Sequence, residues 1–274
     1  MKISVIITTY NQPNWLELSL RGFAKQTIDD FEVVLADDGS GRETGARIER
    51  LRRELPFELT RVWHEDLGFR KTEILNRAII ASRYEYLVFT DGDCIPRRDF
   101  LSVHQRLAEP RRFLSGGYLK LPLNVSGKIT AADVAAGRAT DMRWLRTQGA
   151  PFTRWHVRLG IGRSFGGFLD RITPTRPSFN GHNASLWRND LLGVNGFEER
   201  MGYGGLDREL GERLENAGIR GKQIRHRAVV VHLDHARGYR DPAVLAANRQ
   251  IRDEVAATRR TRAVAGLDRH LPGA

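Results

Sequence analysis

YLVFTDGD (Tyr86–Asp93) runs five residues of buried-strand composition straight into two carboxylates flanking a glycine. An apolar run this short, closed by turn residues, reads as a strand covered on both faces. The same pattern recurs toward the N-terminus. Ile3–Thr9, Phe31–Ala36 and Leu59–Trp63 are strand-like, and each is followed by helical spacing. The first helix runs through Trp15, Leu16, Leu18, Leu20 and Phe23, the second spans Glu43–Leu55 and the third Glu73–Ala81. Strand–helix alternation at this interval predicts βαβ units and a parallel sheet, hence an α/β fold. Such sheets bind ligands beyond the carboxyl ends of their strands. The polar clusters Thr8–Asn11, Asp37–Ser40, His64–Lys71 and Asp91–Asp93 all fall there.

Past residue 120 the pattern loosens. Ser126–Gly149 has helical spacing, Asn189–Gly196 a helix start and its turn, and Asp207–Glu215 a helix. Ala228–Val231 reads as a last buried strand ending at His232, and the chain beyond Arg237 as an Arg- and Ala-rich helix with a loose tail. A hydrophobic content of 41% and a charged content of 28% exclude a disordered or collagen-like chain. No apolar run approaches the roughly 18 residues of a spanning helix. The N-terminus reads as a strand rather than a signal peptide. Cys94, the one cysteine, suits a reducing cytoplasm. The net charge of +11 favours an anionic partner.

Asp91 and Asp93 present hard oxygens from one strand end, which suits Mg²⁺ or Mn²⁺ bridging a diphosphate. An Asp-X-Asp is also common in ordinary turns. Asp37-Asp38-Gly39-Ser40 has the same ambiguity.

Read in order, VIITTYN (Val5–Asn11), ADDGS (Ala36–Ser40) and FTDGDCIP (Phe89–Pro96) resemble the nucleotide-sugar half of family 2 inverting glycosyltransferases of GT-A fold. Phe179–Leu210 (FNGHNASLWRNDLLGVNGFEERMGYGGLDREL) is similar to the acceptor-side segment of the galactosyltransferase-like branch, which includes bacterial chondroitin-type polymerases. The resemblance covers residues 2–235. It implies a Rossmann-like mixed sheet flanked by helices over residues 1–235, with a nucleotide-sugar half (1–120), an acceptor half (121–235) and a basic helical extension (236–274). It implies that Thr8, Tyr10 and Asp38 hold the uridine, and that Gly68, Lys71 and Asn76 pack beside the nucleotide. Asp91 is implied near ribose and metal, Asp93 as the direct metal ligand, and His232 as the histidine completing the site, with His235 a nearby competitor. Asp207 matches the general base of a Gly-Gly-Glu-Asp turn. Here that turn is Gly204-Gly205-Leu206-Asp207, so leucine stands where a glutamate commonly binds the acceptor. Asn183, Gly205 and Leu206 fall on the acceptor side. Taken alone, without the motif order, Asp207 reads better as an acid at a helix N-terminus, favourable against the dipole.

The implied activity is transfer of a sugar from a UDP-sugar to a saccharide or glycolipid hydroxyl, with Mn²⁺ or Mg²⁺, in bacterial lipopolysaccharide or capsule synthesis. No nucleic-acid partner is expected. Arg143–Arg171 interleaves six arginines with Trp144, Phe152, Trp155, Phe165 and Phe168, which suits an anionic membrane at the inner face of the cell. Its other reading is a partly buried lid. A nucleic-acid-binding module is the rival from another class, and the strand-end acids argue against it. A non-catalytic glycan-binding relative is the third reading, because of Leu206. Gly160–Gly166 only loosely matches a dinucleotide fingerprint. The sequons at Asn124 and Asn183 have no role in a cytoplasmic chain.

Overall fold

The computed structural model of the chain describes residues 1–151, 157–161, 163–235 and 241–271. Two sheets organise it. The larger has the order β3 (Glu58–Trp63), β2 (Phe31–Asp37), β1 (Ile3–Thr9), β4 (Tyr86–Asp91), β8 (Ala184–Trp187), β6 (Arg112–Ser115) and β9 (Arg220–Gln223). β1 through β4 run parallel as neighbours, and β8 is antiparallel to both β4 and β6. The sheet is therefore mixed, as the resemblance implies. The smaller sheet sets β10 (Val229–His232) between β5 (Cys94–Pro96) and β7 (Gly117–Lys120).

β1 and β2 are buried almost throughout, which is why they read as continuous apolar runs without alternation. The strand order reverses between β1 and β4, and a parallel sheet opens its ligand crevice at such a switch point. Helices Pro13–Phe23, Arg42–Glu54 and Phe100–Leu107 cover one face. Helices Lys71–Ala81, Arg188–Gly193 and Leu206–Asn216 cover the other.

Several elements depart from the sequence reading. Ser126–Gly149 is not one helix. It breaks into Leu123–Ser126, Ala131–Ala135, a 3₁₀ turn at Arg138–Thr140 and Met142–Thr147. Thr130 and Asp141 cap new starts with their side chains, and Gly137 takes a left-handed φ of 77°. Strands β5 to β9 are each three or four residues long, too short to show a strand period, whereas the equally short β10 is legible as an unbroken valine run. The expected C-terminal helix is present as Pro242–Thr258, but the segment after it is not loose. Leu267 is 1% exposed within the core that also holds Leu191, Phe197 and Leu210. The amides of Ala263 and Leu267 donate to the carbonyls of Val194 and Asn195. Apolar burial at Leu267 overrides the polar composition around it. Phe152, Trp155 and residues 236–240 and 272–274 of the expected elements lie outside the described residues. Among the described residues, no helix is long and apolar enough to cross a membrane.

Candidate active site

Register puts Thr8 of β1 beside Asp91 of β4, and Thr8 Oγ1 donates to Asp91 Oδ1 at 2.5 Å. Lys71, the first residue of its helix, reaches the same oxygen at 2.8 Å. Burial works against the Lys71 charge, yet the carboxylates of Asp91, Asp207 and Asp93 hold its pKa above that of an ordinary lysine. Burial likewise opposes ionisation of Asp91, but Lys71 and Thr8 hold it well below the usual carboxylate range. Asp91, expected near ribose and metal, is thus committed through Oδ1 to Lys71 and Thr8.

Asp93 faces two imidazoles. Its Oδ2 lies 3.6 Å from His232 Nε2 and 3.0 Å from His235 Nε2. The small sheet creates this meeting, because β10 pairs antiparallel with β5 and sets His232 opposite Cys94. Ligand-capable atoms of Asp93, Cys94 and His232 fall within 4.8 Å of one another. Burial raises the Cys94 thiol well above its ordinary pKa, so it stays protonated and a poor ligand. His232 Nδ1 is buried without a hydrogen-bond partner. One carboxylate and two imidazoles fit a first-row divalent cation, and fit Mn²⁺ better than all-oxygen Mg²⁺.

Toward the ends of β1 and β2, Asp38 meets His64 Nε2 at 2.7 Å and accepts from the Arg70 amide at 3.2 Å. Burial, outweighing the pull of His64 and Arg70, raises its pKa. Tyr10, 47% exposed, donates from its hydroxyl to Asp66 at 2.8 Å. Gly68 takes φ +88°, and its amide donates to the same Asp66. Asp37 is structural: it accepts from the Ser40 amide and from Arg61.

Asp207 opens the helix Leu206–Asn216 after two left-handed glycines, Gly204 (φ +104°) and Gly205 (φ +83°). Its Oδ1 is buried and unpartnered. Burial raises its pKa, with Lys71 opposing and Asp91 adding to the rise. Gly181 makes this approach possible, since a Cβ there would meet Asp207 Oδ1 at 2.7 Å. His182 follows, its ring edge-on to Tyr118 at 4.6 Å. Burial lowers its pKa to about 4, so it is neutral near pH 7. Neither Gly181 nor His182 was singled out from sequence. The signal available was their place in FNGH, two and one residues before Asn183.

Three expected contacts are corrected. Asn76 is fully buried and spends its amide on Phe197 and Glu199. Asn183 is fully buried and ties the carbonyls of Gly117 and Ala228 to His104. Leu206 turns into the core beside Leu210 and is no acceptor contact. Gly205 remains on the rim.

Residues 4–117 match the family model described as glycosyl transferase family 2. Residues 4–117 thus carry a family 2 glycosyltransferase domain. The chain is 30% identical over 231 residues to a validoxylamine A glucosyltransferase of Streptomyces hygroscopicus, covering 79% of this chain and 52% of the relative. It is 26% identical over 242 residues to a chondroitin synthase of Escherichia coli, covering 79% of this chain and 32% of that protein. The chain thus spans about half the length, or less, of these curated relatives. Among solved structures, a mannosyltransferase of Pyrobaculum calidifontis in complex with GDP-Man and Mn²⁺ superposes with a TM-score of 0.58 at 23% identity, covering 87% of this chain and 58% of that one. That likeness establishes the GT-A fold for this family 2 domain.

Proposed function

We propose that the domain is a cation-dependent inverting glycosyltransferase that moves a sugar from a UDP-sugar to a saccharide or glycolipid hydroxyl. Its product belongs to bacterial surface glycan, made at the cytoplasmic face of the membrane. One observation supports the reading: a buried carboxylate with a free oxygen, Asp207, shares the charge of Lys71 with Asp91 and Asp93, and Asp93 in turn faces His232 and His235.

In this mechanism Asp207 takes the proton of the acceptor hydroxyl as its oxygen attacks the anomeric carbon. The bond from that carbon to the diphosphate oxygen breaks on the opposite face, and UDP leaves with the electron pair. A raised pKa suits Asp207 to the task, because it makes the carboxylate a better proton acceptor near neutral pH. Lys71 contributes fixed positive charge to the crevice. Asp93, His232 and His235 would hold a divalent cation, which when bound neutralises charge on the leaving diphosphate. Tyr10 and Asp38 border the place for the base at the ends of β1 and β2.

Contact with an anionic bilayer belongs to the same proposal. On the helix Arg163–Ile172, Phe165 and Phe168 are 59% and 55% exposed and stack at 6.3 Å, and Ile172 shares their face.

The test is incubation with UDP- and GDP-sugars, Mn²⁺ and saccharide acceptors. Release of UDP that requires both acceptor and cation is the expected result. No release from any donor, with retained glycan or nucleic-acid binding, would replace this reading with one of its rivals.

A further inference from the structure

The turn that presents Asp207 is held from outside. Asn248, on the helix Pro242–Thr258, is 3% exposed and commits its whole side chain to that turn. Its Nδ2 donates to the carbonyls of Gly202 at 3.1 Å, Tyr203 at 3.1 Å and Gly204 at 2.7 Å. Its Oδ1 accepts from the Gly202 amide at 3.2 Å. An amide group has two N–H bonds, so three carbonyls share two donors.

The turn needs this because Gly202, Tyr203 and Gly204 lie outside helix and strand, and Gly204 and Gly205 take left-handed φ before the Gly205 carbonyl accepts the Glu209 amide and the helix begins. The same helix also closes the space above the glycines. A Cβ on Gly202 would meet Val244 at 2.7 Å, and one on Gly204 would meet Leu245 at 2.4 Å. Between them, Tyr203 packs edge-on against Phe69 at 5.8 Å, joining the turn to the loop that holds Gly68.

We propose that Asn248 is a positioning residue for sugar transfer. From a segment that reads in sequence as an appendage, it sets the turn from which the helix carrying Asp207 starts. The proposal rests on the transferase reading above. Asn248 touches no substrate; it acts through the backbone of Gly202–Gly204.

Asn248→Ala is the test, with Asn216→Ala as the comparison. Asn216 ties the neighbouring helix to the carbonyls of Val255 and Arg260 and makes no bond to the turn. A loss of about an ångström in aim can cost up to about 10²-fold, so Asn248→Ala should lower kcat roughly 10- to 100-fold. KM for the donor should hold, because Thr8 on β1, Asp91 on β4 and Lys71 on its own helix make no bond to Asn248 or to Gly202–Gly204. The acid limb of the kcat profile should move to lower pH as water reaches Asp207. Amide exchange should quicken at 203–207. Asn216→Ala should lower Tm while keeping kcat, the acid limb and that exchange. Asn248→Ser, which keeps one donor, should fall between wild type and Asn248→Ala, and it serves if the alanine variant does not fold. Wild-type kcat and acid limb in the Asn248 variants would overturn the proposal, as would equal losses in Asn216→Ala. Absence of transfer in the wild type, seen before any variant is made, overturns the transferase reading and this proposal with it.

Discussion

Asp207 combines two pulls that burial sets against each other. Burial raises its pKa above the ordinary 3.8, so the folded chain binds that proton more tightly than the unfolded chain does. Stability from this group is therefore greatest below the ordinary carboxylate pKa, and it is lost as pH rises through the folded value. At neutral pH the charge is a cost to folding. Asp207→Asn should lower turnover about 10²–10⁴-fold, the usual worth of a positioned base. It should melt no lower than wild type, and UDP affinity should change little. Sugar transfer, calorimetry and UDP titration on this one variant check all three. The acid limb of kcat/KM in the wild type should lie above the ordinary carboxylate value and be absent in the variant. Two substitute bases drop out. Glu209 is fully buried in a bidentate pair with Arg213. Asp190 follows β8, whose Trp187 end pairs with Tyr86 at the far end of β4 from Asp91.

At the scale of elements, the proposed cation site depends on the pairing of short strands. β5 carries the chain on from Asp93, and β10 delivers His232 and then His235. The two histidines compete in sequence, and in the structure both face Asp93 Oδ2, so the proposal gives both a place beside the cation. Chelation should abolish transfer, and Mn²⁺ should restore it more effectively than Mg²⁺. Asp93→Ala should weaken UDP binding only when cation is present. Equal weakening in chelator would show that Asp93 acts on the nucleotide without a metal. His235→Ala should raise the Mn²⁺ concentration needed for half-maximal activity, read from a metal titration.

Over the whole molecule, the C-terminal segment belongs to the core rather than hanging from it. Leu267 packs with Leu191 and Phe197, so Leu267→Ala should cost about 2–5 kcal/mol, measured by denaturant unfolding. A value near zero would restore the picture of a loose tail. The exposed Phe165 and Phe168 make a separate claim. Phe165→Ser with Phe168→Ser should release the protein from anionic vesicles, and salt should weaken wild-type binding because part of the attraction is charge. Binding indifferent to both changes would remove the bilayer from the proposal.

By itself, the sequence determined the α/β class, the four parallel strands and the carboxylates at their ends. Those features are local: an apolar run of strand length, a turn closing it, and motif order along the chain. The places of Thr8, Asp91 and His232 at strand ends were legible for that reason, as was that of Asp207 at the start of its helix. Only the tertiary structure decided which side chains stay available. Asn76, Asn183 and Leu206 sit in motif positions, yet packing buries them and turns their atoms to other partners. It also decided that Asp91 pairs with Lys71, that Gly181 leaves room for Asp207, and that Asn248 reaches the Gly202–Gly204 carbonyls across 44 to 46 residues of chain. Such contacts depend on distance in space, and spacing along a chain carries no record of it once the elements between have packed.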